Sequence, residues 1–335
     1  MHWQRVIMFR KFLLLVLLFL TPSIVWAGND GYAEKLINSQ CKSCHRFEGK
    51  PKSKFELKAP DLMWGGVKFQ RDWLIRRLMG QENNLYPNGY RWDKMRLSLK
   101  HMVSTREEAM VIADYMKKKF SDPRVKKSFV DMSTFTEMEA TLGADIFRQY
   151  SCLGCHQIKD DEGKLIGGPI STTLFNAGNR YTLDWWSRFA ENPQDFTPHS
   201  GEYLADISLR KARHIIGYVM TLGKKDFKFY EPWKSKEFKD ADVERGAKVY
   251  MEYCAQCHGK EGKGDGPGAK GLDPKPAVHA DLPLSDYPDD YLYNLVYYGG
   301  KSVGKSPNMP DWGMTLPEQS LADVITYLRS TFKNL

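Results

Sequence analysis

Apolar positions recur at helical spacing in six stretches of this chain, and the stretches fall into three pairs. The early member of each pair starts at a glycine: GYAEKLINSQ from Gly31, GADIFRQYS from Gly143 and GAKVYMEY from Gly246. The late member carries a tyrosine: REEAMVIADYM with Tyr115, RKARHIIGYVM with Tyr218 and SLADVITYLRS with Tyr327. This repetition predicts a mainly α protein of three tandem modules, in each of which an early and a late helix cross through the small glycine. The segments 117–133 and 223–240 break the period, carry charge and contain Pro123 and Pro232. They read as surface connections, with Phe227, Phe229, Tyr230 and Trp233 packing the second one down.

Each early stretch runs into Cys-X-X-Cys-His: CKSCH, CLGCH and CAQCH. The motifs use all six cysteines, Cys41, Cys44, Cys152, Cys155, Cys254 and Cys257, and place His45, His156 and His258 after them. Two thiols so spaced, with an imidazole directly following, suit covalent attachment of a c-type haem. The cysteines form thioethers and the histidine ligates the iron from the proximal side. A redox dithiol needs no such histidine. A structural zinc site needs four ligands in one small module, and these motifs stand more than a hundred positions apart. A disulfide framework needs no histidines at all. The cofactor reading is three covalently bound haem c groups.

The start of the chain sets a compartment. Arg5, Arg10 and Lys11 precede an apolar run from Phe12 to Leu20, and Val25 and Ala27 suit a cleavage site before Gly28. Residues 1–27 read as a secretory signal, too short in its apolar core and too interrupted by Pro22 to favour a retained anchor. The mature chain is then expected in the periplasm, without a membrane span. The formal net charge is +8, part of it in the leader, and haem propionates would offset more. Nucleic acid is therefore a poor partner; the lysines suit a docking face for another protein.

With these motifs in place, each third of the chain resembles a class I cytochrome c domain. The third, 241–335, does so through CAQCHGKEGKGDGPG and NMPDW. The second, 137–223, has CLGCHQI, GGP and YTLDWW, and is similar to cytochrome c domains associated with bc-type complexes. The first, 28–120, is more divergent but has APDL and RDWLIRRL. The resemblance implies small helical bundles, each around one haem. An electron carrier of this kind is expected to have periplasmic or membrane-bound redox proteins as partners: a bc-type complex, an oxidase, a reductase or a dehydrogenase.

The sixth iron position decides what each haem does, because methionine raises the potential and histidine lowers it. In the third module Met309 precedes Pro310, as in the family's Met-Pro signature, and lies in the loop ahead of the helix that carries Tyr327; Met314 is the rival. In the second there is no methionine between Cys152 and Tyr218, and His199 stands at nearly the same distance before that tyrosine. An open iron, His214 and Met220 are the alternatives there. In the first, Met95 keeps nearly the same distance before Tyr115, with His101 and Met102 as rivals. A proximal imidazole also needs a backbone carbonyl for its second nitrogen. The resemblance offers Pro60, Pro169, and either Pro274 or Pro276 as the source.

Two functions follow: an electron relay through three haems, or a catalytic subunit that uses the methionine-less middle haem on a small molecule. Beyond Glu202, Asp206 and His214 the sequence around His199 holds no acid–base set, which favours the relay.

Overall fold

The computed structural model describes residues 30–50, 59–82, 85–86, 104–198 and 207–333, whose regular structure is helical but for one short hairpin. Met95, His101, Met102, His199, Glu202, Asp206 and the leader all lie outside the described residues. The chain divides into two units, one of Met1–Asn84 with Gly89–Arg124, the other of Leu85–Asn88 with Val125–Leu335.

In the first unit α1 (Asp30–Leu36) continues as a wider π turn through Ile37–Cys41, so the first motif grows directly out of a helix. Two further helices follow, α2 (Gly65–Lys68) and α3 (Arg71–Leu78). The last is α4 (Arg106–Lys119), on which the other three pack. Thr105 and Glu108 start α4 with a reciprocal capping box, a device that typically contributes about 1 kcal/mol. Ala109, Ile112, Ala113 and Met116 form its buried stripe. Gly31 does not take the expected place at a crossing: a methyl group there would meet nothing within 4 Å. Ala33, eight residues before Cys41, is fully buried instead. That is the offset of Gly246 from Cys254.

The second unit contains two further helix pairs. Its first half holds α5 (Glu137–Gln149), a hairpin of β1 (Ile158–Lys159) and β2 (Leu165–Ile166), then α6 (Ala177–Arg180), α7 (Leu183–Glu191) and α8 (Leu209–Thr221). The strands are antiparallel, with Ile158 opposite Ile166. Its second half holds α9 (Lys236–Lys239), α10 (Val243–Val249), α11 (Ala255–His258), α12 (Asp289–Tyr298) and α13 (Glu318–Thr331). A π turn, Tyr250–Cys254, joins α10 to α11.

Here the glycine crossings are as expected. A Cβ on Gly143 would lie 2.2 Å from the His214 carbonyl oxygen and 2.7 Å from Tyr218 Cβ. On Gly246 it would lie 2.0 Å from the Asp323 oxygen and 2.7 Å from Tyr327 Cβ. No side chain fits either place, so α5 meets α8, and α10 meets α13, backbone to backbone.

Short helices repeat across the units. Gly66 in α2 donates its N–H to Phe120 O, and Gly178 in α6 donates to Leu222 O, both at 3.0 Å. After each comes an aromatic pair, Phe69 on Trp73 and Tyr181 on Trp186. The connection 223–240 is held down, as its aromatics suggested. Tyr230 N–H donates to Phe135 O at 3.0 Å and its hydroxyl to Glu318 at 3.2 Å. Trp233 and Phe238 pack on Tyr293. No described helix is long and apolar enough to cross a membrane.

Candidate haem sites

All three motif histidines are held alike. Helical or 3-10 turns return the His45 N–H to Cys41 O and the His156 N–H to Cys152 O, while His258 ends α11. Each Nδ1 then meets a backbone carbonyl: His45 that of Pro60 at 2.7 Å, His156 that of Thr172 at 2.7 Å, His258 that of Ala277 at 2.9 Å. A carbonyl only accepts, so Nδ1 carries the proton and the Nε2 lone pair is left for a metal. Pro60 supplies its carbonyl as the sequence suggested. Pro169, Pro274 and Pro276 do not. In the middle case Gly167 and Gly168 pass so close to the motif that a Cβ would fall 2.2 Å from His156 O and 2.0 Å from Gly154 O, and the acceptor is Thr172, three residues beyond Pro169.

A second bond repeats beside the first two histidines. Leu62 N–H donates to Arg46 O at 2.8 Å, and Leu174 N–H to Gln157 O at 2.7 Å. Arg46 in turn pairs with the buried Asp61 carboxylate, so both ends of the His45–Pro60 contact are pinned.

None of the six cysteines is paired in a disulfide. Burial pushes the Cys41 thiol up to about 11 and the Cys254 thiol up to about 12, with the neighbouring Cys44 and Cys257 adding to it. A redox dithiol needs the opposite shift, toward thiolate. Among the described residues no three His, Cys, Asp or Glu side chains form a cage for a metal ion. The thiols of the first and third motifs therefore do not suit dithiol redox chemistry.

Buried donors without partners test the fit of a haem. Arg180 is fully buried; its Nη2 donates to Thr173 O, but Nε and Nη1 meet no acceptor. Trp186 Nε1 and the hydroxyls of Thr172 and Thr173 are also unsatisfied there, as is Trp73 Nε1 in the first unit. Orphaned buried donors are rare in native folds and call for a missing acceptor. The carboxylates of a haem are such an acceptor, and a buried guanidinium is the group that holds one best. The residues present fit the cofactor. Sequence reasoning missed Arg180, Thr172 and Ala277. The only signal was that Arg180 and Lys68 occupy equal positions before YTLDWW and FQRDWL.

Of the expected distal residues, only Met309 and its rival Met314 are described for the third module. Met309 is half-buried, its N–H bonded to Ser306 O at 3.2 Å and its carbonyl to Gly300 N–H at 3.0 Å. Met314 is 68% exposed. His214 and Met220 are buried in α8. The His214 ring meets Tyr298 edge-on and has Nε2 3.9 Å from Glu139 Oε1. Burial pulls its pKa down to about 4.

The third motif has a feature of its own. His279 stacks on His258, ring centroids 4.0 Å apart and planes 17° apart. Burial and the adjoining His258 press its pKa down to about 3.

Comparison with known proteins agrees with this geometry. Residues 241–328 match the family described as "Cytochrome C oxidase, cbb3-type, subunit III". The chain is also 29% identical over 207 residues to the "Gluconate 2-dehydrogenase cytochrome c subunit" of Pantoea cypripedii. That alignment covers 54% of this chain and 45% of the relative, so the chain matches less than half the relative's length. A mainly helical protein with a cytochrome c domain, its histidines presenting Nε2 beside paired cysteines, is supported as a c-type cytochrome carrying covalently bound haem c.

Proposed function

We propose that this chain is a tri-haem electron-transfer protein of three class I cytochrome c domains, working in the periplasm after removal of residues 1–27. The observation that carries the reading is the threefold recurrence of an Nδ1–carbonyl bond behind a Cys-X-X-Cys-His histidine. Three preorganised histidines at three separate motifs have no use in a single-haem protein.

Bound haem supplies a reversible one-electron iron couple. The chain does the rest. His45, His156 and His258 offer the proximal nitrogen, in an orientation fixed by Pro60, Thr172 and Ala277. The cysteine pairs tether the group. Arg180 would offset carboxylate charge in the second site, and the Trp186 indole N–H would donate a hydrogen bond there. Met309, His199 and Met95 would be the distal ligands in this reading, which would make the second haem the bis-histidine one and lower in potential than the third. The kinship with a dehydrogenase cytochrome subunit supports a dehydrogenase as electron donor, with a membrane-bound or periplasmic redox protein as acceptor.

The mass of the mature holoprotein tests the proposal. It should exceed the apoprotein by three haems, all surviving acid–acetone extraction because thioethers are covalent. One or two retained haems in fully matured protein would overturn it.

A further inference from the structure

Two residues beyond the carbonyl that receives the proximal Nδ1–H stand Leu62 in the first motif, Leu174 in the second and His279 in the third. The third site thus has a histidine where, counted from that carbonyl, the other two have a leucine. The surrounding bonds differ accordingly. At the first two sites the leucine N–H reaches the carbonyl of the residue after the histidine. At the third the corresponding carbonyl, Gly259 O, receives the Tyr250 hydroxyl at 3.0 Å.

That bond settles a proton. Tyr250 has one hydroxyl hydrogen, and it is committed to Gly259 O. The contact of 3.3 Å between Tyr250 Oη and His279 Nδ1 must then be donated by the histidine. His279 is accordingly the Nδ1–H tautomer, with its lone pair on Nε2. The contacts close a ring: His258, its neighbour Gly259, Tyr250, His279, and back to His258 by stacking. Phe332 walls the group, 5.4 Å from His279 and 5.8 Å from Tyr250. Gly262 leaves room for both; a Cβ there would fall 2.6 Å from Phe332 and 2.9 Å from His279 Cβ.

We propose that His279 is a positioning residue for the proximal ligand of the third haem, fixing the plane of the His258 imidazole and lowering the potential of that haem relative to a leucine at the same position. The inference rests on the reading of His258 as an iron ligand. A polar, electron-rich ring against the ligand favours the more highly charged ferric state, whereas an aliphatic wall favours the ferrous one. A flat ring stacked on another also resists rotation of its partner in a way that a leucine does not.

The test compares full-length holoprotein carrying His279→Leu or His279→Phe with the wild type, after haem content has been verified by mass. Redox titration followed by EPR reports both potential and imidazole orientation. His279→Leu should raise one of the three potentials, shift the low-spin g values of the same haem, and leave the other two haems unmoved. His279→Phe keeps the flat ring but loses the donor to Tyr250, so g values should stay while that potential still rises. Unchanged potential in either variant, or g values that move in His279→Phe, would overturn the proposal, as would all three potentials moving together. Should the leucine variant fail to mature, the phenylalanine variant decides alone. A haem missing from the wild-type peptide that carries Cys254 and Cys257 would instead count against His258 as a ligand, a failure that peptide mass shows separately.

Discussion

Thr136 Oγ1 and Tyr298 Oη lie 2.7 Å apart in a buried contact that spans 162 positions of sequence. Thr136 caps α5, the helix leading to the second motif, and Tyr298 ends α12 after the third. The bond therefore ties together the two halves of the second unit. Arg210, in the first turn of α8, adds an ion pair to Asp311, two residues beyond Met309. Met138 and Leu142 of α5 pack against the apolar core of the other half.

Tyr298→Phe removes one buried neutral hydrogen bond and leaves the ring packing intact. The expected loss is about 1 kcal/mol in the unfolding of the second unit, measured by denaturant titration. Asp311→Asn, at a partly exposed pair, should cost less, about 0.5 kcal/mol, with the difference vanishing at high salt.

The three early glycines should respond differently to the same change. Gly143→Ala and Gly246→Ala force a methyl group onto a backbone carbonyl and should each cost about 1–3 kcal/mol or more, with poor recovery of holoprotein. Gly31→Ala meets open space in a helix and should be neutral or stabilising, by up to about 1 kcal/mol. Equal losses at all three positions would contradict the crossings described here.

His214 gives the second unit an acid sensitivity. Its folded pKa is depressed to about 4 from an ordinary 6.5, chiefly by burial. Between these values the unfolded chain binds a proton that the folded chain refuses, so stability is full above pH 6.5 and falls as the pH drops toward 4. The loss is on the order of 3 kcal/mol at most. His214→Phe, measured by denaturation at about pH 7 and about pH 4.5, should flatten that slope. An unaltered slope would place the acid sensitivity elsewhere.

Distal ligation separates two nearby methionines. Met309→Ala should abolish a thioether-to-iron charge-transfer band and lower one potential, while Met314→Ala, at an exposed side chain, should leave the spectrum nearly intact. At the proposed second haem, His199→Ala should admit carbon monoxide that the wild type resists. Rapid carbon monoxide binding by the wild type would exclude bis-histidine ligation there and favour catalysis at the middle haem.

Short-range chemistry was legible in the chain itself. Cys-X-X-Cys-His is a local motif, and the amphipathic helices ahead of it and far behind it follow from the period of their apolar residues. The crossing glycines at 143 and 246 could be read from spacing, because a helix crossing that close admits no larger side chain. The same rule misplaced the first crossing. Gly31 lies at the open end of α1, and one added methyl at Ala33 is tolerated in the buried position.

Tertiary structure alone decided which carbonyl sits beneath the second and third imidazoles. Every residue carries a carbonyl, so Thr172 and Ala277 have no signature, and the acceptor falls 15, 16 or 19 residues after its histidine according to the path of the loop. Arg180 and His279 were invisible for a related reason. A guanidinium becomes an anion's partner only once burial strips its water and leaves two of its nitrogens unpaired. An imidazole well along the loop from its motif becomes part of a haem site only when the chain folds it flat against His258.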